Sequence, residues 1–174
     1  MKRIFALLLC FLMIFAVVSC SKDENEEENG GDKGITTSQK SSVSFYVNYK
    51  SVKIELGADA KAVISALGTA KSSLSMGNCG GLGTLTKYVY DSLEIYVLAS
   101  GSTETVDQIT LLDDAVQTPE KVSVGSAKDA VISACGNGYS KMTDTSITYT
   151  SGSKNLKFTL RDGTVTGIDY LTVS

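Results

Sequence analysis

Gly57 to Gly68 reads GADAKAVISALG, and Gly125 to Gly136 reads GSAKDAVISACG. The stretches lie 68 residues apart, and seven of their twelve positions are identical. A match of that kind marks an internal repeat, and it decides how the chain is to be divided. The flanks agree as well, with Ile54 and Leu56 matching Val122 and Val124. Each copy reads as strand, glycine turn and short helix. Val63, Ile64 and Leu67 fall on one helical face, and Val131, Ile132 and Cys135 repeat it. Gly68 and Gly136 stand where a helix C-terminus takes a left-handed residue. Ser126 with Asp129 reads as an N-cap with an acidic partner, whereas Ala58 in the first copy predicts a weaker start.

After each helix the apolar period becomes two. Leu93, Ile95 and Val97 alternate with Glu94, Tyr96 and Leu98, and Leu156, Phe158 and Leu160 alternate with Lys157, Thr159 and Arg161. Both are strands with one apolar face. Tyr88 to Tyr90 and Ile147 to Tyr149 precede them; Val106 to Leu111 and Val165 to Leu171 follow. Asp162-Gly163 is a two-residue hairpin turn. In the first copy a leading element, Val43 to Leu56, reads as a hairpin turning near Asn48-Tyr49. The expected fold class is α+β. Two tandem repeats, 43–112 and 113–174, would each pack a helix on an antiparallel sheet of three or four strands.

This pattern resembles the BLIP-like group, which includes the beta-lactamase inhibitor protein and the outer-membrane lipoprotein BamE. The likeness rests on Gly57, Val63, Gly68, Tyr90, Val106 and Ile109, and in the second copy on Gly125, Val131, Gly136, Tyr149, Val165 and Ile168. These are structural glycines and core positions, so the resemblance speaks for fold. It implies a binding or assembly protein more than an enzyme, by analogy alone.

The N-terminus supplies an address. Lys2 and Arg3 precede a continuous apolar run from Ile4 to Val18, and Val17-Val18-Ser19-Cys20 resembles the lipobox of bacterial lipoproteins. A retained span needs about 20 apolar residues, more than this run has. Residues 1–19 therefore read as a signal peptide and Cys20 as the lipidation site, where two or three acyl chains would anchor stably. Residues 20–42 read as a disordered acidic tether, because Ser21 to Gly34 has six acidic and two basic residues and no apolar side chain. An acidic cluster there resembles the surface-export signal of Bacteroidota lipoproteins. The expected location is the outer membrane at the cell surface, with its periplasmic face as the alternative. From Gly34 onward the chain carries 12 basic and 13 acidic residues, which leaves no basic stripe for nucleic acid.

Chemistry is bounded by the absence of histidine, the commonest general base and metal ligand. No Ser-His-Asp or Cys-His arrangement fits within the chain. Ser151-Gly152-Ser153-Lys154 has an S-x-x-K spacing but reads as a turn, and Asp113-Asp114 reads as solvated. Gly77 to Gly83, GNCGGLG, lacks the Lys-Ser/Thr of a phosphate loop and reads as a loop that positions Cys79. Cys79 and Cys135 are the pair that a disulfide would join; the alternative is two unpaired thiols. Two cysteines without histidine do not make a zinc site, and no cofactor is implied.

Tyr96 alternates out of phase with its buried neighbours, and by parity Leu98 and Val89 share its face. Tyrosine among aliphatic side chains on an outward face is the kind of patch that marks a protein-binding surface; the alternative is that helices or the other repeat cover it. The same face of the second copy, with Thr148, Lys157, Thr159 and Arg161, is more polar. The expectation is a non-enzymatic, membrane-anchored lipoprotein that binds a protein partner or serves envelope assembly through Tyr96, Leu98 and Val89. The alternative is an inhibitor of an extracellular hydrolase, with Asp91 or Tyr139 on a protruding loop; an enzyme ranks last.

Overall fold

A hairpin of β1 (Tyr46–Tyr49) and β2 (Val52–Glu55) leads into α1 (Ala60–Leu67). The computed structural model from which these elements are taken describes residues 43–77 and 83–173. An antiparallel meander follows: β3 (Ser72–Gly77), β4 (Thr84–Val89), β5 (Leu93–Ser100) and β6 (Thr103–Leu111). After α2 (Lys128–Cys135) comes a second meander of β7 (Lys141–Met142), β8 (Ser146–Ser151), β9 (Lys154–Arg161) and β10 (Thr164–Thr172).

The expected pair of α+β units, each a helix on its own sheet, is corrected by the strand pairing. The meanders join edge to edge into one eight-stranded sheet, ordered β3-β4-β5-β6-β10-β9-β8-β7. Ile168 lies opposite Leu111 and Tyr170 opposite Ile109 across the join. The described chain is mostly β, with two eight-residue helices against ten strands. The physical reason lies in the last strand of each meander. Left alone, β6 and β10 would each expose a row of backbone donors and acceptors, and pairing satisfies both rows.

Period two then sorts the side chains. Leu93, Ile95, Val97, Ile109, Phe158 and Tyr149 point to one face and are buried. They form one core with Val63 and Leu67 of α1, Val131 and Cys135 of α2, and Val47 and Ile54 of the hairpin. Burying such side chains stabilises the fold by about 1.5–3 kcal/mol each. The helices and hairpin therefore share a single layer on the inner face of the sheet.

The repeated glycine junctions hold that layer in place. Gly57 N–H donates to the Val106 carbonyl at 2.8 Å, and Gly125 N–H donates to the Val165 carbonyl at 2.8 Å. Val106 and Val165 donate back to the carbonyls of Ala58 and Ser126. Each helix start is thus stitched to the beginning of a late strand, which a sequence repeat implies but cannot locate. At the helix ends, Gly68 (φ 75°, ψ −158°) and Gly136 (φ 78°, ψ 178°) occupy a region essentially reserved for glycine.

Several local expectations shift. The N-caps are Asp59 and Ala127, one residue later than the alignment of Ala58 with Ser126 suggests. Asp59 accepts from Lys61 N–H at 3.0 Å, so α1 is the capped helix, while the Ser126 hydroxyl accepts from Ser123 N–H instead. The β1–β2 turn falls at Lys50-Ser51, both with positive φ, a type I′ geometry without its usual glycine. No strand lies between β6 and α2, where the repeat led one to be expected; Val116, Thr118 and Val122 are buried there from irregular chain. Asp162-Gly163 turns between β9 and β10 with φ of 51° and 73°, as its sequence implies.

Candidate functional site

The outer face of β3–β5 follows from register alone. Met76 lies opposite Leu85, and Leu85 opposite Leu98, which makes one apolar row across three strands. The next row is Leu74, Lys87 and Tyr96, and the next is Ser72, Val89 and Glu94. Val89, Tyr96 and Leu98 are therefore brought to one face, as their parity predicts. All three are half-buried, and Leu74 is 57% exposed. No described helix or hairpin lies over them, because α1, α2 and β1–β2 all pack on the inner side. Leu74, Met76 and Leu85 escape the sequence reading, although Leu74 and Met76 alternate with serines and Leu85 with Thr84 and Thr86. Asp107 forms a bulge in β6 opposite the Tyr96–Val97 step, which bends the sheet beside this patch.

Polar side chains hold the patch rigid. Lys87 Nζ donates to Glu94 Oε1 at 3.0 Å, and the Tyr96 hydroxyl donates to Glu94 Oε2 at 2.9 Å. Burial pushes the Tyr96 hydroxyl up to about 12, with help from the Glu94 hydrogen bond and the charges of Glu94 and Asp169. Tyr96 is thus a fixed, neutral donor, with its half-buried ring on the outer face of the sheet. Farther along the sheet Gln108 donates to Thr110, and Thr110 donates to Asp169 Oδ1 at 2.8 Å. Beyond that network the face is polar, with Asp169, Lys157 and Thr148 in one row.

The remaining candidates are engaged elsewhere. Asp91 meets Lys71 at 2.6 Å and Lys50 at 3.8 Å, and these cations hold its carboxyl below the ordinary range. Tyr139 is half-buried and packs edge-on against Tyr149, with ring centres 6.3 Å apart. Asp113 accepts from Ala115 N–H in a local turn, and Lys154 faces Glu55 at 3.6 Å. Among the described residues no group of three or more histidine, cysteine, aspartate or glutamate side chains is placed to hold a metal. A recess of about 400 Å³ lies where Asp59 and Lys61 meet Thr103 to Thr105, and Lys61 there pairs with Glu104 at 3.6 Å. Cys135 is 1% exposed, and burial together with the negative charge of Glu120 pushes its thiol up to about 12. Cys20, Cys79 and the Cys79–Cys135 pairing lie outside the described residues, as do the signal peptide and the whole of the tether. Among the described residues no helix is long and apolar enough to cross a membrane.

No known family matches the sequence, and no curated protein matches it. A crystal structure of an extracellular protein containing a SCP domain, from Bacillus anthracis, is similar at a TM-score of 0.40 and 14% identity. That likeness covers 67% of this chain and 44% of the other, so the chain spans under half the length of its neighbour.

Proposed function

We propose that the chain is a non-catalytic protein-binding module, held at the outer membrane by a lipid on Cys20 and presenting the outer face of β3–β5 to a protein partner. The observation that carries this reading is the apolar row Met76–Leu85–Leu98 beside Tyr96, on the side of the sheet away from α1 and α2. Single exposed apolar residues need no explanation, but a contiguous row on a preorganised face is what a binding surface uses. The rigid Glu94 network lowers the ordering cost of binding, since Tyr96 is already held. With its hydroxyl pushed up to about 12, Tyr96 is neutral at physiological pH, which suits contact and not acid-base work. The acidic tether would hold the sheet away from the membrane, and the nearly neutral domain favours an uncharged contact surface.

An inhibitor of a hydrolase would need a free carboxylate or tyrosine on a loop, and Asp91 and Tyr139 are both engaged. The discriminating experiment is affinity capture from envelope membranes with Tyr96→Ala/Leu98→Ala beside Thr148→Ala/Thr159→Ala. A partner that binds the β3–β5 face is lost with the first variant and kept with the second. Equal capture by both removes this face from the proposal.

A further inference from the structure

The two ends of the eight-stranded sheet are built differently. β7 has two residues and begins with Lys141, features that blunt a sheet edge against pairing. β3 has six residues, Ser72–Gly77, with no charge and no proline. Among the described residues it pairs on one side only, with β4. All of its residues except Met76 are exposed. Lys71, which directly precedes β3, pairs with Asp91, and Lys87, opposite Leu74, pairs with Glu94. An edge of this kind accepts another uncharged strand through its free backbone groups.

We propose that β3 pairs antiparallel with β3 of a second copy, about a two-fold axis normal to the sheet, so that the two sheets become one. β3 itself has the composition that its edge requires, and uncharged strands meet without like-charge repulsion. The blunted far edge prevents β3 from pairing head-to-tail with β7, so association closes as a dimer and does not run on as a filament. Keeping both cores on the same side demands that residues of equal parity face each other. Centred on Ser75, that register sets Leu74 against Met76 of the second copy, twice. Centred on Leu74, it would set Met76 against Ser72. The Ser75 register buries more apolar surface and brings the two outer apolar patches together across the axis. Leu74 and Met76 belong to the outer face as well, but the pairing runs through the free backbone edge of β3, so cross-linking at Ser75 tests the dimer separately from any other partner.

The test uses the full chain in its own membrane, with Cys79→Ser as background. Ser75 is exposed and gives up only a 3.0 Å contact with Thr86, so Ser75→Cys keeps the fold. Under mild oxidation Ser75→Cys forms a disulfide-linked dimer on a non-reducing gel. Ser73→Cys cross-links about tenfold less, because the two copies of residue 73 sit about 13 Å apart along the strands. Lys141→Cys on the far edge gives no dimer, and adding Leu74→Lys to Ser75→Cys reduces the dimer about tenfold. Absence of a Ser75→Cys dimer in folded protein overturns the proposal, and so does equal cross-linking at 73, 75 and 141. Sedimentation of the unmodified chain in detergent provides a second reading. A dimer fraction that rises with concentration supports the pairing, and monomer at every concentration up to about 100 µM overturns it.

Discussion

Tyr149→Phe isolates one hydroxyl. The ring sits at 0% exposure between Tyr139 and Phe158, with ring centres 6.3 Å and 6.2 Å away, and phenylalanine keeps both contacts. What disappears is the hydrogen bond from the Tyr149 hydroxyl to the Gly136 carbonyl, 2.7 Å long, which fastens the end of α2 to the sheet. A neutral hydrogen bond contributes about 1 kcal/mol net, and stranding a buried acceptor raises the loss towards about 3 kcal/mol. Gly136 is only half-buried, so water can partly replace the donor and the loss belongs at about 1–1.5 kcal/mol. At the repeated position Tyr90 reaches the Gly68 carbonyl at 3.4 Å, and Gly68 is exposed. Tyr90→Phe should therefore cost about 0.5 kcal/mol or less. For a domain of this size, 1 kcal/mol moves Tm by about 3–5 °C. Calorimetry on the chain from Ile35 should show Tyr149→Phe melting about 3–6 °C lower and Tyr90→Phe within about 2 °C of the parent. Equal losses in the two variants, or none at Tyr149, would refute the assignment of the hydroxyl as the anchor of α2.

Further outcomes follow from three buried or paired groups. The Tyr170 hydroxyl is fully buried without a partner among the described residues, so Tyr170→Phe should be neutral or stabilising by up to about 1 kcal/mol in urea titrations, the reverse of Tyr149→Phe. Cys135, with its thiol raised to about 12, should resist iodoacetamide at pH 8 in a Cys79→Ser chain and react only on unfolding. Its raised value also means stability is complete below the ordinary thiol range and falls as pH climbs from about 9 towards 12, a decline that Cys135→Ala should lessen. Asp91, depressed by Lys71 and Lys50, stabilises above the ordinary carboxylate range and loses that contribution as pH falls below about 4. Asp91→Asn should flatten the acid limb of the melting-temperature profile by a small amount, because the pair is exposed.

What sequence can convey here depends on periodicity. The helices and the burial of Val63, Leu67, Val131 and Cys135 were readable because apolar residues at i, i+1 and i+4 recur in both copies of the repeat. The shared face of Val89, Tyr96 and Leu98 was readable because strand parity is strict. β3 was not, since SSLSMG is mostly serine and glycine and owes its extended form to pairing with β4. The β6–β10 junction was hidden for another reason. Strands that end a meander alternate in the same way whether or not they pair with each other, so one sheet and two sheets share a sequence pattern. The Lys50-Ser51 turn was displaced from its expected place because neither residue advertises positive φ.

The proposed partner-binding face is tested most directly in living cells, with a photo-crosslinking amino acid placed at position 98 or at position 148 of the full chain. Both positions lie on the outer side of the same sheet, one in the apolar rows and one in the polar half. A partner seated on β3–β5 gives a discrete cross-linked species from 98 that is weak or missing from 148, and Tyr96→Ala diminishes it. Cross-linking from 148 alone, or the same species from both positions regardless of Tyr96, contradicts a partner site on this face.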